Sequence, residues 1–207
     1  NGENILSGDT NAWHTLFTHA NAGHYTEAAQ LVDLPAFADF MILNFYGANA
    51  DWDRASNWYA ARRRNHEGKF IFFIWDGERT LENPNDNSIA ANDDQSPTRL
   101  FHKLIEHPEF KTLLAERARL HLTGDGALSP KNAAAAYEHW SKRLDPAIVC
   151  EAARWGAYRH DAHQYKTGPY EIYTREQHWR PEINRLLKDY FPQRSAIALD
   201  QILAVAR

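Results

Sequence analysis

The sequence holds a single cysteine, Cys150, so no disulfide can close within it. It has one methionine and no apolar run near the roughly 20 residues that a membrane-spanning helix needs. Positive charge is not in surplus. Lys and Arg number 23 against 27 Asp and Glu, a net charge of -4, which gives no general attraction for nucleic acid or an anionic membrane. G-x-S-x-G, H-E-x-x-H and glycine-rich phosphate loops are all missing. No lysine occurs before Lys69. The chain opens on Asn1 with no apolar leader, and it reads as a piece of something longer.

What is present is enough for a core. A length of 207 residues with 43% hydrophobic side chains needs neither disulfides nor structural metal to fold. Seven Trp, nine Tyr and ten Phe point to an interior built largely of rings.

The order of elements is helices, one hairpin, then helices. Asp9 or Thr10 caps a first helix carrying Trp13, Leu16 and Phe17. A short second helix suits 24–32. Asp33 and Pro35 open PAFADFMILNFYGA, whose apolar positions cover most of the circumference and predict a central, buried helix ending at Gly47. The runs NWYAARRR and KFIFFIW, joined by NHEG, read as a β-hairpin. A long polar stretch, ENPNDNSIAANDDQSP, follows without periodicity; such loops are functional or disordered. From Pro97 the chain is helical again. Ser129 caps one helix, DPAIVCEAARWG forms the next with Cys150 as a buried hydrophobe, Thr174 opens a helix that Pro181 kinks or restarts, and PQRSAIALDQILAVA closes the chain. The fold class is mostly α with a small antiparallel β-hairpin (α+β), read as a single domain over 1–207.

A hairpin returns its second strand to where the first began. Asp51 and Asn57 at one end therefore share a neighbourhood with Asp76 at the other. Two carboxylates and a carboxamide are hard oxygen ligands suited to Mg²⁺ or Mn²⁺ holding phosphate oxygens, an arrangement that protein kinases use. Asp and Asn in loops equally make Asx-turns and caps, and both readings stand at this point. Arg62, Arg63 and Arg64 either contact a phosphorylated or acidic substrate or form a solvated turn. His14, His19 and His24 recur every five residues, which does not stack on one helix face, and with His160, His163 and His178 they read as surface or capping groups.

GANADWDRASNWYAARRR, KFIFFIWDGERTLEN and SPTRLFHKLIEHPEFKTLLAERARLHL, with EAARWG and PQRSAIALDQIL downstream, resemble the C-terminal half of the spore-coat protein H (CotH) kinase family. The resemblance implies an atypical protein-kinase fold of the C-lobe type, ATP with Mg or Mn as cofactors, and transfer of phosphate to Ser or Thr of a protein substrate from an exported or coat setting. It gives Asp51 the catalytic position and gives Asn57 and Asp76 the metal. Family members often read WDLD and then FG. WDGERTL here puts Glu78 at the second acidic position, a secondary contact like Asp53. It also implies an N-terminal lobe, with a glycine-rich cover and a phosphate-binding lysine, that these residues do not contain. Two other functions fit the same residues: an inactive kinase-like interaction module of a larger exported protein, and a metal-dependent phosphoesterase using Asp51, Asp53 and Asp76.

Overall fold

Pro35 sits in the first turn of the central helix, where its missing N–H costs nothing, and the Asp33 carboxylate accepts from the Ala36 amide to cap that end. The helix, α3 (Leu34–Gly47), buries Phe37, Phe40, Met41, Ile42 and Phe45 around nearly its whole girth. Each such side chain removed from water contributes about 2–3 kcal/mol, which makes α3 the pillar of the fold. A computed structural model describes residues 5–52, 57–65, 67–94, 96–162 and 171–207.

Two helices precede the pillar, α1 (Asn11–Asn21) and α2 (Tyr25–Leu31). Thr10 occupies the N-cap of α1 without a side-chain bond, while Asp9 accepts from the Asn11 amide instead. The hairpin follows α3: β1 (Trp58–Ala61) pairs antiparallel with β2 (Ile71–Ile74), with Trp58 opposite Ile74 and Ala61 opposite Ile71. Alternation sends Trp58, Ala60 and Phe72 inward and leaves Tyr59, Ile71 and Phe73 outside. The inner face rests on α1 and α3. Trp13 stacks on Trp58 at 5.5 Å and meets Phe70 edge-on, while Phe37 and Phe40 close on Phe72. Gly68 is required in the turn, because a Cβ there would lie 2.1 Å from the Arg63 carbonyl oxygen. Phe70 exchanges main-chain bonds with Leu31 and Asp33, which ties the hairpin to the entry of α3.

Among the described residues no regular element occurs between β2 and α4 (Pro97–Leu104). Ile89 of that stretch is buried and anchors it. Beyond lie α5 (Pro108–Leu122), α6 (Pro130–Trp155), the short α7 (Tyr158–Asp161), α8 (Arg180–Arg185) and α9 (Phe191–Val205); α5 and α9 pack on α3 and on each other. One π-helical turn, Arg175–Trp179, precedes α8 and a second, Leu186–Tyr190, joins it to α9.

The helix α3 ends at Gly47 as read, and Ala48 beyond it takes the left-handed position at φ 48°. Two details depart from the sequence reading. The two helices expected around Leu144 are one, because α6 runs through Pro146; a long exposed helix tolerates the lost bond where water reaches the freed carbonyl. Cys150 is exposed on α6 rather than buried. Among the described residues no helix is long and apolar enough to cross a membrane.

Candidate functional site

The first limb of the site is the exit from α3. Two carboxamides in relay shape it. Asn44 donates to the Phe40 carbonyl, Asn49 donates to Asn44 Oδ1 at 3.1 Å, and Asn49 Oδ1 accepts the Asp51 amide at 3.2 Å. Asn44 and Asn49 are each 1% exposed, so these bonds run in a low-dielectric setting where they are strong. Trp52 is equally buried, its ring wedged edge-on between Phe40 and Phe45. Asp51 thus stands half-buried at the surface between two immobile neighbours. The Asp-Trp pair works as a post and its anchor.

The second limb is the open end of the hairpin. Asn57 bridges to the first: its Nδ2 donates to the Asp51 carbonyl at 2.5 Å, and its own carbonyl accepts the Trp75 amide at 3.3 Å. Asn57 and Asp76 both hold left-handed backbone, at φ 71° and 52°, a conformation that Asn and Asp tolerate and that recurs at functional sites. Further on, the Ala50 amide donates to the Arg79 carbonyl at 2.9 Å and the Leu81 amide to the Gly47 carbonyl at 2.8 Å. Residues 47–50 and 79–81 therefore run side by side.

The side chains at this mouth are unevenly satisfied. Arg79 is paired with Glu82 at 2.6 Å. That hydrogen bond, with the charges of Glu82, Asp51 and Glu78, pushes its guanidinium above its ordinary range. Among the described residues no hydrogen bond reaches the carboxylate of Asp51 or of Asp76. Asp76 is exposed.

Asp51, Asn57 and Asp76 are thus brought to one place. Glu78 follows on the second limb, exposed near Arg79. Asp53 lies outside the described residues. The three arginines sit at the other end of the hairpin, about 17 Å or more along the strand from Asn57. There Arg62 donates to the carbonyls of Arg63 and Asn65 and lies over the Phe70 ring, while Arg64 donates to Ser7. His178 takes the Thr174 amide and pairs with Glu171, a capping role; His163 lies outside the described residues.

Among the described residues no three His, Cys, Asp or Glu side chains converge as a metal site. A divalent ion held with phosphate does not need three. Two carboxylates, one carboxamide oxygen, phosphate oxygens and water make a hard octahedral set, and Asp51, Asp76 and the Oδ1 of Asn57 are donors of those types.

A family model described as CotH kinase protein matches residues 3–198. The chain belongs to the CotH kinase family. No curated protein and no solved structure gave a match. Membership makes the chain kinase-like at the level of the CotH family as a whole.

Reading the sequence for loop acids missed what lies beneath this CotH site. Arg194 of α9, fully buried, donates to the carbonyls of Phe45, Tyr46, Pro84 and Asp86. The Tyr190 hydroxyl joins it on Tyr46 at 2.9 Å, and burial pushes that phenol up to about 12, so it stays a donor. The available signal was an arginine on the apolar stripe Phe191, Ala198, Ile202, a charge where a core residue belongs.

Proposed function

We propose that this chain supplies the metal- and acceptor-binding half of an ATP-dependent protein kinase site, in which the γ-phosphoryl group passes to a Ser or Thr hydroxyl of a protein substrate. The observation that carries this reading is the contrast at the mouth. Main-chain groups of both limbs are hydrogen-bonded to one another, while among the described residues the carboxylates of Asp51 and Asp76 have no hydrogen-bond partner.

The Asp51 carboxylate, on a main chain held by the Asn49 carboxamide and next to the Trp52 anchor, orients the acceptor hydroxyl and takes its proton. The new oxygen–phosphorus bond forms as the bond to the leaving ADP oxygen breaks. Asn57 Oδ1 and Asp76 would hold Mg²⁺ or Mn²⁺, which supplies charge neutralisation for the phosphates. Trp75, 57% exposed and edge-on to Tyr59 at 5.2 Å, offers a flat surface beside Asp76 for the nucleotide base. A glycine-rich cover and a lysine belong to an N-terminal lobe that these residues do not include.

The test uses the natural full-length protein. Mn²⁺ with ATP should raise its melting temperature, and labelled γ-phosphate should appear on Ser or Thr of a protein acceptor. Neither stabilisation nor transfer would make the chain an interaction module. Release of phosphate from a simple ester without nucleotide would make it a phosphoesterase.

A further inference from the structure

The guanidinium of Arg194 differs from the paired arginines of this molecule. Arg117 and Arg180 each face a carboxylate, Asp39 and Asp145, at the partly exposed surface. Arg194 is 0% exposed, and among the described residues no carboxylate oxygen pairs with it. All its acceptors are main-chain carbonyls. Nε reaches the Tyr46 oxygen at 2.7 Å and Nη2 the Phe45 oxygen, while Nη1 takes Pro84 at 2.6 Å and Asp86 at 2.9 Å. Removing such a charge from water is tolerated only when its donors are met, and here they are met by two segments alone.

Those segments are the two limbs of the site. Phe45 and Tyr46 close the last turn of α3, whose carbonyl end is negative, directly before Asn49 and Asp51. Pro84 and Asp86 continue the chain that leaves Asp76. Between the limbs lies a cavity of about 370 Å³, with Ala48, Asn49 and Ala50 on one wall and Asp86, Asn87 and Ser88 on the other. The Ser88 hydroxyl is buried and has no hydrogen-bond partner among the described residues. Side chains do not pack this gap shut, so its width is set from behind.

We propose that Arg194 is the positioning residue of the site: its planar fork fixes the limb that carries Asp51 relative to the limb that follows Asp76. The purpose of that spacing rests on the phosphoryl-transfer reading, whereas the spacing itself does not. A lysine keeps the charge but offers a point in place of a fork, so it cannot hold both pairs of carbonyls. Gln201 of the same helix assists, donating to the Asn85 and Asp86 carbonyls at 3.2 and 3.3 Å.

Amide hydrogen exchange and Mn²⁺ binding, followed by paramagnetic resonance, test this in the full-length protein. The variants are Arg194→Lys and Gln201→Ala, with Arg117→Met as a structural control. In Arg194→Lys the cross-limb amides of Ala50 and Leu81 should exchange at least a hundredfold faster while α5 amides around Leu114 hold their rates, and Mn²⁺ affinity should fall at least tenfold. Gln201→Ala should show the same pattern at about tenfold, and it decides the matter if Arg194→Lys does not fold. Arg117→Met should leave Ala50 and Leu81 unchanged. Exchange rising equally in α5 and at the limbs would reduce Arg194 to general stability and overturn the proposal, as would unchanged limbs. A wild-type protein that binds no Mn²⁺ would remove the metal reading, and the exchange rates would still decide the role of Arg194.

Discussion

Two corners of this molecule treat a carboxylate in opposite ways. At the junction of α6 and α8, Asp145 takes Arg180 Nε at 2.7 Å and Arg175 Nη1 at 3.1 Å, and Glu176 backs both arginines. Asp39 of α3 is similarly clamped by Arg117 and His121. At the mouth of the hairpin, Asp51 and Asp76 have no such clamp among the described residues, and Arg79 nearby is bonded to Glu82. The fold therefore pairs carboxylates that join elements and leaves bare those at the mouth. Carboxylates without a countercharge add nothing to stability, and leaving them so makes sense where a cation is to be received.

The sharpest way to break this comparison is Asp76→Asn. It keeps the size and one oxygen but removes the charge. Phosphoryl transfer by the full-length protein should fall about a thousandfold, on the order of 4 kcal/mol of transition-state stabilisation, with the melting temperature unmoved. Equal rates in the two proteins would remove Asp76 from the chemistry. Asp39→Asn should do the reverse. Its clamp is a third exposed, so water screens part of the interaction, and the loss should be about 1–2 kcal/mol of stability, seen as a drop of roughly 3–6 °C in melting temperature. Transfer activity below the melting range should not change.

Much of this arrangement was legible in the sequence because it is written in local chemistry. Asp33 with Pro35, the apolar girth of 36–46 and the turn NHEG each specify a local structure, and together they bring Asp51, Asn57 and Asp76 into one place. The parts that were not legible depend on distant contacts. Pro146 reads as a break but sits where α6 is open to solvent, so the helix continues. Cys150 looks like a core residue by composition, yet it stands exposed on α6. Arg194 looks like a surface charge until four carbonyls from α3 and the 84–86 segment are seen to surround it. Neighbours far apart in sequence set these three environments, and no spacing rule encodes them.

Acid should separate the two kinds of carboxylate without mutation. The hydrogen bond from Arg180, followed by the charges of Arg180 and Arg175, holds the Asp145 carboxyl below its ordinary 3.8. A group depressed in the folded state stabilises fully above its unfolded value and loses that contribution as pH falls through the folded one. The α6–α8 corner should therefore stay intact near neutrality and loosen only below about pH 4. Indole fluorescence of Trp179, which lines the cleft beside Asp145 and Arg180, can follow this. Asp145→Asn should abolish the acid-dependent step, and a step that persists in that variant would assign it to another group.

The smallest effect expected is at Glu78, which tests how far the bare set extends. Glu78 follows Asp76 by one glycine and occupies the second acidic position, but it is exposed and its charge acts on Arg79, as does that of Asp51. Its longer side chain has more rotamers to freeze before it could reach an ion shared by Asp76 and Asn57, and that entropy offsets most of one added charge. Glu78→Gln should thus change phosphoryl transfer by less than about threefold, under 0.7 kcal/mol. The same variant should relax Arg79 toward Asp51 and leave the pairing of Arg79 with Glu82 as the main restraint. Measured Mn²⁺ affinity gives the direct check. If Glu78→Gln weakens Mn²⁺ as much as Asp76→Asn does, then the ion lies further along the second limb, and Glu78 joins Asp76 as an equal ligand.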